Sequence, residues 1–388
     1  MNHKPVILTV FGTRPEAVKM APLVKTIAAC GDLVSRVCVT AQHRQMLDQV
    51  LQIFNVVPDY DLDIMKTRQT LGGITRMALE GLEGVLQELK PDMVLVHGDT
   101  STTFVASLAA FYAKISVGHV EAGLRTYDKY SPFPEEMNRK LTGCIADLHF
   151  SPTETNFQNL IKEGINPDTI HITGNTVIDA LRTTIVQDYS FEDETLRKLD
   201  FTGKRLISVT AHRRENLGKP LENIFHALKT IVLKYPDVEV VYPVHLNPAV
   251  QEPAKAILGG VGRVHLINPI QVQDMHNLMA KSYLVLTDSG GLQEEAPSLG
   301  KPVLVARNET ERPEAVQAGT VKVIGTELER VVSETSLLLD DDAEYQRMAR
   351  SVNPYGDGHA SERILEAIRY WFGITDKRPK SFHTNVNP

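Results

Sequence analysis

Apolar residues along this chain gather into short runs separated by stretches of helical spacing. Pro5–Phe11, Arg36–Thr40, Met93–Val96 and Ile115–Val120 are rich in Val, Ile and Leu. Continuous apolar runs of that length suit parallel strands buried on both faces. The segments between them have an amphipathic helical pattern. Leu71–Leu89 is the clearest, and it stops at Lys90-Pro91 because proline bars the helical conformation before it. The alternation restarts after a connecting region near Thr173–Thr184, with strands expected at Arg205–Thr210, Val238–Tyr242, Val264–Ile267, Tyr283–Thr287 and Pro302–Ala306. A last helix, about Ala360–Phe372, follows the turn-rich Asn353–Gly358.

This pattern predicts an α/β protein of two Rossmann-like, doubly wound domains, with strand ends aiming ligand loops into an interdomain cleft. The expected division is an N-terminal domain over 1–174, a C-terminal domain over 175–359, a C-terminal helix over 360–374 crossing back to the N-terminal domain, and a tail over 375–388, loose from Asp376. A chain of 388 residues suits two cores. Apolar residues at 42% and charged residues at 23% are ordinary globular values. With 41 Lys and Arg against 48 Asp and Glu, the net charge of −7 disfavours nucleic acid and anionic membranes as partners, so any anionic ligand needs local cations. Cys30, Cys38 and Cys144 lack CxxC spacing, so a reducing cytoplasm is expected. Met1–Val10 runs straight into a strand pattern, and neither a signal peptide nor a membrane span is expected.

Ionisable residues stand directly after the strands. Gly12-Thr13-Arg14-Pro15-Glu16 reads as a tight turn into a helix, with Arg14 and Lys19 beside an N-terminus suited to phosphate; solvated charges on a plain turn would carry the same string. His97-Gly98-Asp99-Thr100 follows the next strand, and there Asp99 is either a helix cap or a reacting group. Glu121, in His119–Arg125, and Glu135 and Glu136, in Pro134–Arg139, bring further acids to the same sheet edge, although helix starts often carry acids. In the second half, Thr210–Asn216 sets His212 between a strand end and two arginines, suited to proton transfer or phosphate contact or to a structural role; His245 has the same ambiguity. Thr287-Asp288-Ser289-Gly290-Gly291 leads a strand into a glycine pair and a helix, whose amides and Ser289 hydroxyl suit a diphosphate. Glu295 lies one turn on, where it can accept ribose hydroxyls, and Arg312 closes that side. The string is neither a Walker loop nor a GxGxxG fingerprint. Metal-ligand spacings and the GxSxG elbow are missing, so neither metal nor cofactor is expected and the chemistry falls to carboxylates and histidine.

Taken in order, FGTRPEA, TAQHRQML, HGDTSTT, VGHVEAGLRT, FPEEMNR, SPTETN, TGNTVIDAL, HRREN, YPVHLNP, TDSGGLQEEAPSLGKPVLV, TERPEAV and NPYGDG give a strong resemblance, from about Ile7 to Glu366, to the non-hydrolysing bacterial UDP-N-acetylglucosamine 2-epimerases. The resemblance implies the GT-B architecture and inversion at carbon 2, giving UDP-N-acetylmannosamine through bound UDP and 2-acetamidoglucal, a precursor route to surface polysaccharides. It implies Asp99, Glu121 and Glu135 as acid–base groups with His212, and Arg14, Lys19, Ser289, Gly290, Gly291, Glu295 and Arg312 around UDP. Met275 stands where relatives often put an aromatic against uracil. The resemblance also implies activation by the substrate at a second site matched here by Gln42, His43, Gln45, Arg68, Arg213 and His245, and a homodimer. A GT-B glycosyltransferase, a hydrolysing epimerase and a sugar-nucleotide-binding regulator are the competing readings.

Overall fold

The computed structural model describes residues 3–41, 44–65 and 69–383, apart from the side chain of Gln45. The chain forms two compact units: Met1–Thr183 with Tyr355–His383, and Thr184–Pro354. Each is a parallel sheet with helices packed on it, as the alternating pattern requires.

The first unit holds β1 (Val6–Phe11), β2 (Val34–Val39), β3 (Tyr60–Asp61), β4 (Met93–His97), β5 (Ser116–Val120), β6 (Leu148–Ser151) and β7 (Ile170–Ile172), in the order β3-β2-β1-β4-β5-β6-β7. Every residue of β4 is buried, which is why its sequence is unbroken by polar alternation. The helix Leu71–Leu89 lays Ile74, Ala78, Leu82, Val85 and Leu86 on this sheet with Leu8, Val94 and Val117; Thr70 caps its start by accepting from the Gly73 amide at 3.1 Å. The second unit holds β8 (Arg205–Thr210), β9 (Val238–Pro243), β10 (Val264–Ile267), β11 (Leu284–Thr287), β12 (Val303–Val305) and β13 (Val321–Val323), ordered β10-β9-β8-β11-β12-β13. Its core joins Ile207, Val209 and Leu286 to Ile224, Phe225, Leu228 and Ile231 of the helix Lys219–Lys234. Strand order reverses between β1 and β4 in one sheet and between β8 and β11 in the other, the points where doubly wound sheets open for ligands.

Two expectations need revision. The division falls at Thr183 and Pro354 rather than at 174 and 359, because the helix Thr176–Thr184 is tied to the first unit. The Asp179 carboxylate accepts from the Ala360 and Ser361 amides at 3.1 and 2.7 Å, and Arg182 donates to the Gly358 carbonyl at 2.8 Å. The tail is also held as far as Phe382. The Phe382 amide donates to the Ile172 carbonyl at 2.7 Å, its ring is buried under Arg363, and Arg378 pairs with Asp168 at 3.0 Å.

Candidate active site

At the reversal point of the first sheet, Gly12 and Thr13 carry β1 into the helix Arg14–Ala29. Buried Glu16 turns back on this start. Its Oε2 accepts from the Gly12 and Thr13 amides at 3.0 and 2.8 Å, and its Oε1 accepts from the Thr100 and Thr103 hydroxyls at 2.7 and 3.2 Å. The protein's own carboxylate thus takes the Gly12 and Thr13 amides at this helix start.

Lys19 pairs with Glu121, which follows β5 in a left-handed conformation at φ 62°. Glu121 also accepts from Asn175 Nδ2 at 2.9 Å, and its Oε2 lies 3.7 Å from His97 Nε2, a buried nitrogen with no hydrogen-bond partner. Burial pushes this carboxyl up, but Lys19, with His97 and Arg139 adding to its pull, holds Glu121 well below the usual carboxylate range. Burial pushes His97 down to about 4, so it is neutral at pH 7. His119 is pushed down to about 3 for the same reason, and its Nε2–H donates to the Gly98 carbonyl at 2.7 Å, fixing the turn after β4.

Asp99 is not the helix cap; Thr100 is, accepting from the Thr103 amide at 3.2 Å. The Asp99 carboxylate pairs with Arg139 of the helix Glu135–Ile145, and Asn138 Nδ2 of that helix donates to the Asp99 carbonyl at 2.9 Å. Burial pushes the Asp99 carboxyl up against the pull of Arg139, and Glu121 and Glu135 push the same way. Two neighbouring carboxyls are therefore driven in opposite directions, the arrangement that separates a group suited to taking up a proton from one that stays ionised. Glu135 opens the helix that supplies Arg139, while buried Glu136 accepts from the Thr126 and Tyr127 amides at 3.1 and 3.0 Å and is structural.

In the second sheet the reversal point is organised by Asp288, fully buried after β11. Its Oδ2 accepts from the His212 and Arg213 amides at 2.7 and 2.8 Å and from Asn216 Nδ2 at 3.1 Å; its Oδ1 lies 3.7 Å from His212 Nδ1. The His212 ring stacks on that of exposed His245, with centroids 5.1 Å apart and planes 5° from parallel. Burial lowers the proton affinity of His212, and the Asp288 carboxylate opposes that.

Ser289 leads into the short helix Gly290–Glu295. A Cβ on Gly290 would stand 2.8 Å from Glu311 Oε1, with the Arg213 and Arg312 guanidinium groups at 3.6 and 3.8 Å, so only glycine leaves this turn open between them. Glu311 pairs with Arg213 at 3.1 Å and Arg307 at 2.6 Å; burial pushes its carboxyl up, but its hydrogen bonds and the Arg312 and Arg307 charges bring it down to about 2. Arg312 pairs with buried Glu294. Glu295 Oε2 lies 3.3 Å from Nε2 of buried His276. Met275 packs half-buried with Phe191, Leu206 and Ile267.

Of the residues expected from sequence, Lys19, Asp99 and Glu121 form one connected cluster in the first unit. Ser289, Gly290, Gly291 and Glu295 lie along one turn and short helix of the second, where the Arg213 and Arg312 guanidinium groups flank Gly290. Gln42, His43 and Arg68 lie outside the described residues, as does the side chain of Gln45. His97, Arg139, Asn175, Asp288 and His276 were given no role from sequence. Arg139 alone had a local signal, four residues from Glu135 on one helical face. Among the described residues, no group of three or more His, Cys, Asp or Glu is placed to hold a metal ion, and no helix is long and apolar enough to cross a membrane.

The paired acids at one reversal point suit proton transfer and the cation-flanked glycine turn at the other suits an anionic ligand, features of an α/β enzyme. The family model described as UDP-N-acetylglucosamine 2-epimerase matches residues 25–369. The chain is 58% identical over 377 residues to the UDP-N-acetylglucosamine 2-epimerase of Bacillus subtilis, covering 97% of this chain and 98% of that one. It is 57% identical over 368 residues to the enzyme of that name from Escherichia coli K12, covering 94% and 98%. The crystal structure of UDP-GlcNAc 2-epimerase from Neisseria meningitidis bound to UDP-GlcNAc superposes with a TM-score of 0.84 at 50% identity, covering 94% of this chain and 99% of that one. The chain belongs to the UDP-N-acetylglucosamine 2-epimerase family.

Proposed function

We propose that this enzyme interconverts UDP-N-acetylglucosamine and UDP-N-acetylmannosamine by inverting carbon 2, with UDP eliminated and re-added rather than released. The family membership supports the substrate, and the cluster of Asp99 and Glu121 with Arg139 and Lys19 supports the proton chemistry. The carbon 2 proton is weakly acidic, so the bond from carbon 1 to the diphosphate must break ahead of its removal, building positive charge on the sugar. Glu121, kept ionised by Lys19, faces that charge. Asp99, with its raised proton affinity, accepts the proton on one face, and Glu135 returns one on the other. UDP and 2-acetamidoglucal result, with no water consumed, and re-addition of UDP at carbon 1 closes the cycle. His212, Arg14 and Arg312 neutralise the departing diphosphate, the amides of Ser289, Gly290 and Gly291 cradle it, Glu295 accepts from the ribose, and Met275 packs on uracil.

We further take Gln42, His43, Gln45, Arg68, Arg213 and His245 as a second UDP-N-acetylglucosamine site that activates the enzyme; the stacking of His245 on His212 supports a link from that site to the chemistry. Loss of sigmoidal substrate dependence in Arg68→Ala tests it, and unchanged sigmoidicity removes it. A homodimer in a reducing cytoplasm, feeding surface-polysaccharide synthesis, completes the proposal; the free thiols of Cys30, Cys38 and Cys144 suit that compartment. The primary test is to incubate the purified chain with UDP-N-acetylglucosamine and follow products by proton NMR. UDP-N-acetylmannosamine with little free UDP is expected. Unchanged substrate removes the proposal, and accumulating N-acetylmannosamine with UDP assigns a hydrolysing enzyme instead.

A further inference from the structure

His276 is buried at 3% exposure in the helix Val272–Lys281, with both ring nitrogens engaged. Nδ1 lies 2.6 Å from the Thr184 hydroxyl, and Nε2 lies 3.3 Å from Glu295 Oε2. An ionised carboxylate only accepts, so the nitrogen facing Glu295 carries the proton; in the neutral ring Nδ1 is then the acceptor and the Thr184 hydroxyl donates to it. One tautomer and one ring orientation follow. The ring direction fixes Glu295 in turn, and Glu295 Oε1 lies toward the glycine turn, 3.3 Å from where a Cβ on Gly291 would stand. A glutamate side chain with three rotatable bonds otherwise loses considerable rotamer freedom when it grips a ligand, and prior immobilisation removes that cost from binding.

We propose that His276 is a positioning residue that, set by Thr184, holds Glu295 in the orientation that accepts hydrogen bonds from the ribose hydroxyls of a uridine diphosphate. The inference rests on the reading that Glu295 receives the ribose. Hydrogen bonds between hydroxyls and a charged acceptor are worth about 10- to 100-fold in Kd. The structural consequence is specific: His276 matters only for ligands that carry those hydroxyls.

The test is calorimetric titration of wild type, His276→Phe, His276→Gln and Thr184→Val with UDP and with 2′,3′-dideoxy-UDP. Wild type is expected to prefer UDP by about 10- to 100-fold. His276→Phe fills the space without a donor and should bring that preference to about threefold or less while leaving dideoxy-UDP affinity where it was. His276→Gln, whose amide can still donate, should recover part of the preference, and Thr184→Val should lose part of it. Full preference for UDP in His276→Phe, or in Thr184→Val and His276→Gln alike should the Phe variant not fold, overturns the positioning role while leaving the ribose contact standing. Equal binding of the two ligands by wild type overturns the ribose contact itself, and the positioning role falls with it.

Discussion

Replacement of Lys19 by methionine keeps most of the side-chain volume and removes the ammonium beside Glu121. Both groups are largely sequestered, with side-chain exposures of 15% for Lys19 and 7% for Glu121, so water cannot substitute for the missing charge. Asn175 Nδ2 still donates to Glu121, but an amide does not replace a cation. Removing one partner of a buried pair costs about 3–5 kcal/mol. For a unit of this size that is roughly 6–20 °C in Tm, at about 2–4 °C per kcal/mol. With Lys19 gone, its pull is lost while burial remains, so the Glu121 proton affinity should rise. Glu121→Gln in the Lys19→Met background removes the stranded charge and should restore at least half of the lost stability. The single tryptophan, Trp371, lies in the helix Ala360–Trp371 of the first unit, so urea unfolding followed by its fluorescence reads this unit. A Lys19→Met cost under about 1 kcal/mol, or a double variant no more stable than Lys19→Met, would refute the buried-pair argument.

Acid should weaken the first unit through its neutral histidines. His97, His119 and His171 are pushed down to about 4, 3 and 4, chiefly by burial, against an unfolded value of about 6.5. Below pH 6.5 the unfolded chain binds protons that the folded chain refuses, so each histidine should remove roughly 1.4 kcal/mol per pH unit from pH 6.5 down toward its folded value. A Trp371 unfolding midpoint that stays constant from pH 6.5 to 4.5 would contradict this. Gly123→Ala combines φ 91° with a Cβ 2.3 Å from the Asn156 carbonyl oxygen, a backbone atom that cannot step aside, and should cost at least about 2 kcal/mol in the same assay. Near-wild-type stability there would mean that the turn relaxes. Asp288→Asn removes the charge that opposes the burial of His212, so the His212 ring should titrate at lower pH than in wild type by proton NMR; an unchanged titration would deny the coupling.

Long periodic elements were readable from sequence because their own burial pattern encodes them. Leu71–Leu89 begins and ends where its apolar spacing and Lys90-Pro91 indicate. Strands such as Ile170–Ile172 and Val321–Val323 were not, since three residues carry no period and owe their form to the neighbours they pair with. The ordered tail depends on Phe382 meeting Ile172 and Arg363, contacts that no local window contains. Asp99 and Glu121 were found because acids after buried strands are conspicuous. Their opposed states were not, because these depend on Lys19, Arg139 and burial. Substrate and reaction came from the ordered motifs and their resemblance to a family, not from spacing.

The most direct measurement is hydrogen exchange at carbon 2 in heavy water. Wild type should place deuterium at carbon 2 of the UDP-N-acetylmannosamine it forms, and Asp99→Asn, Glu121→Gln and Glu135→Gln should each slow that incorporation by roughly 10²–10⁴-fold while Trp371 unfolding shows a folded first unit. Epimerised product that keeps its original proton, or incorporation at wild-type rate in all three variants, would contradict the assignment of the proton to these carboxylates.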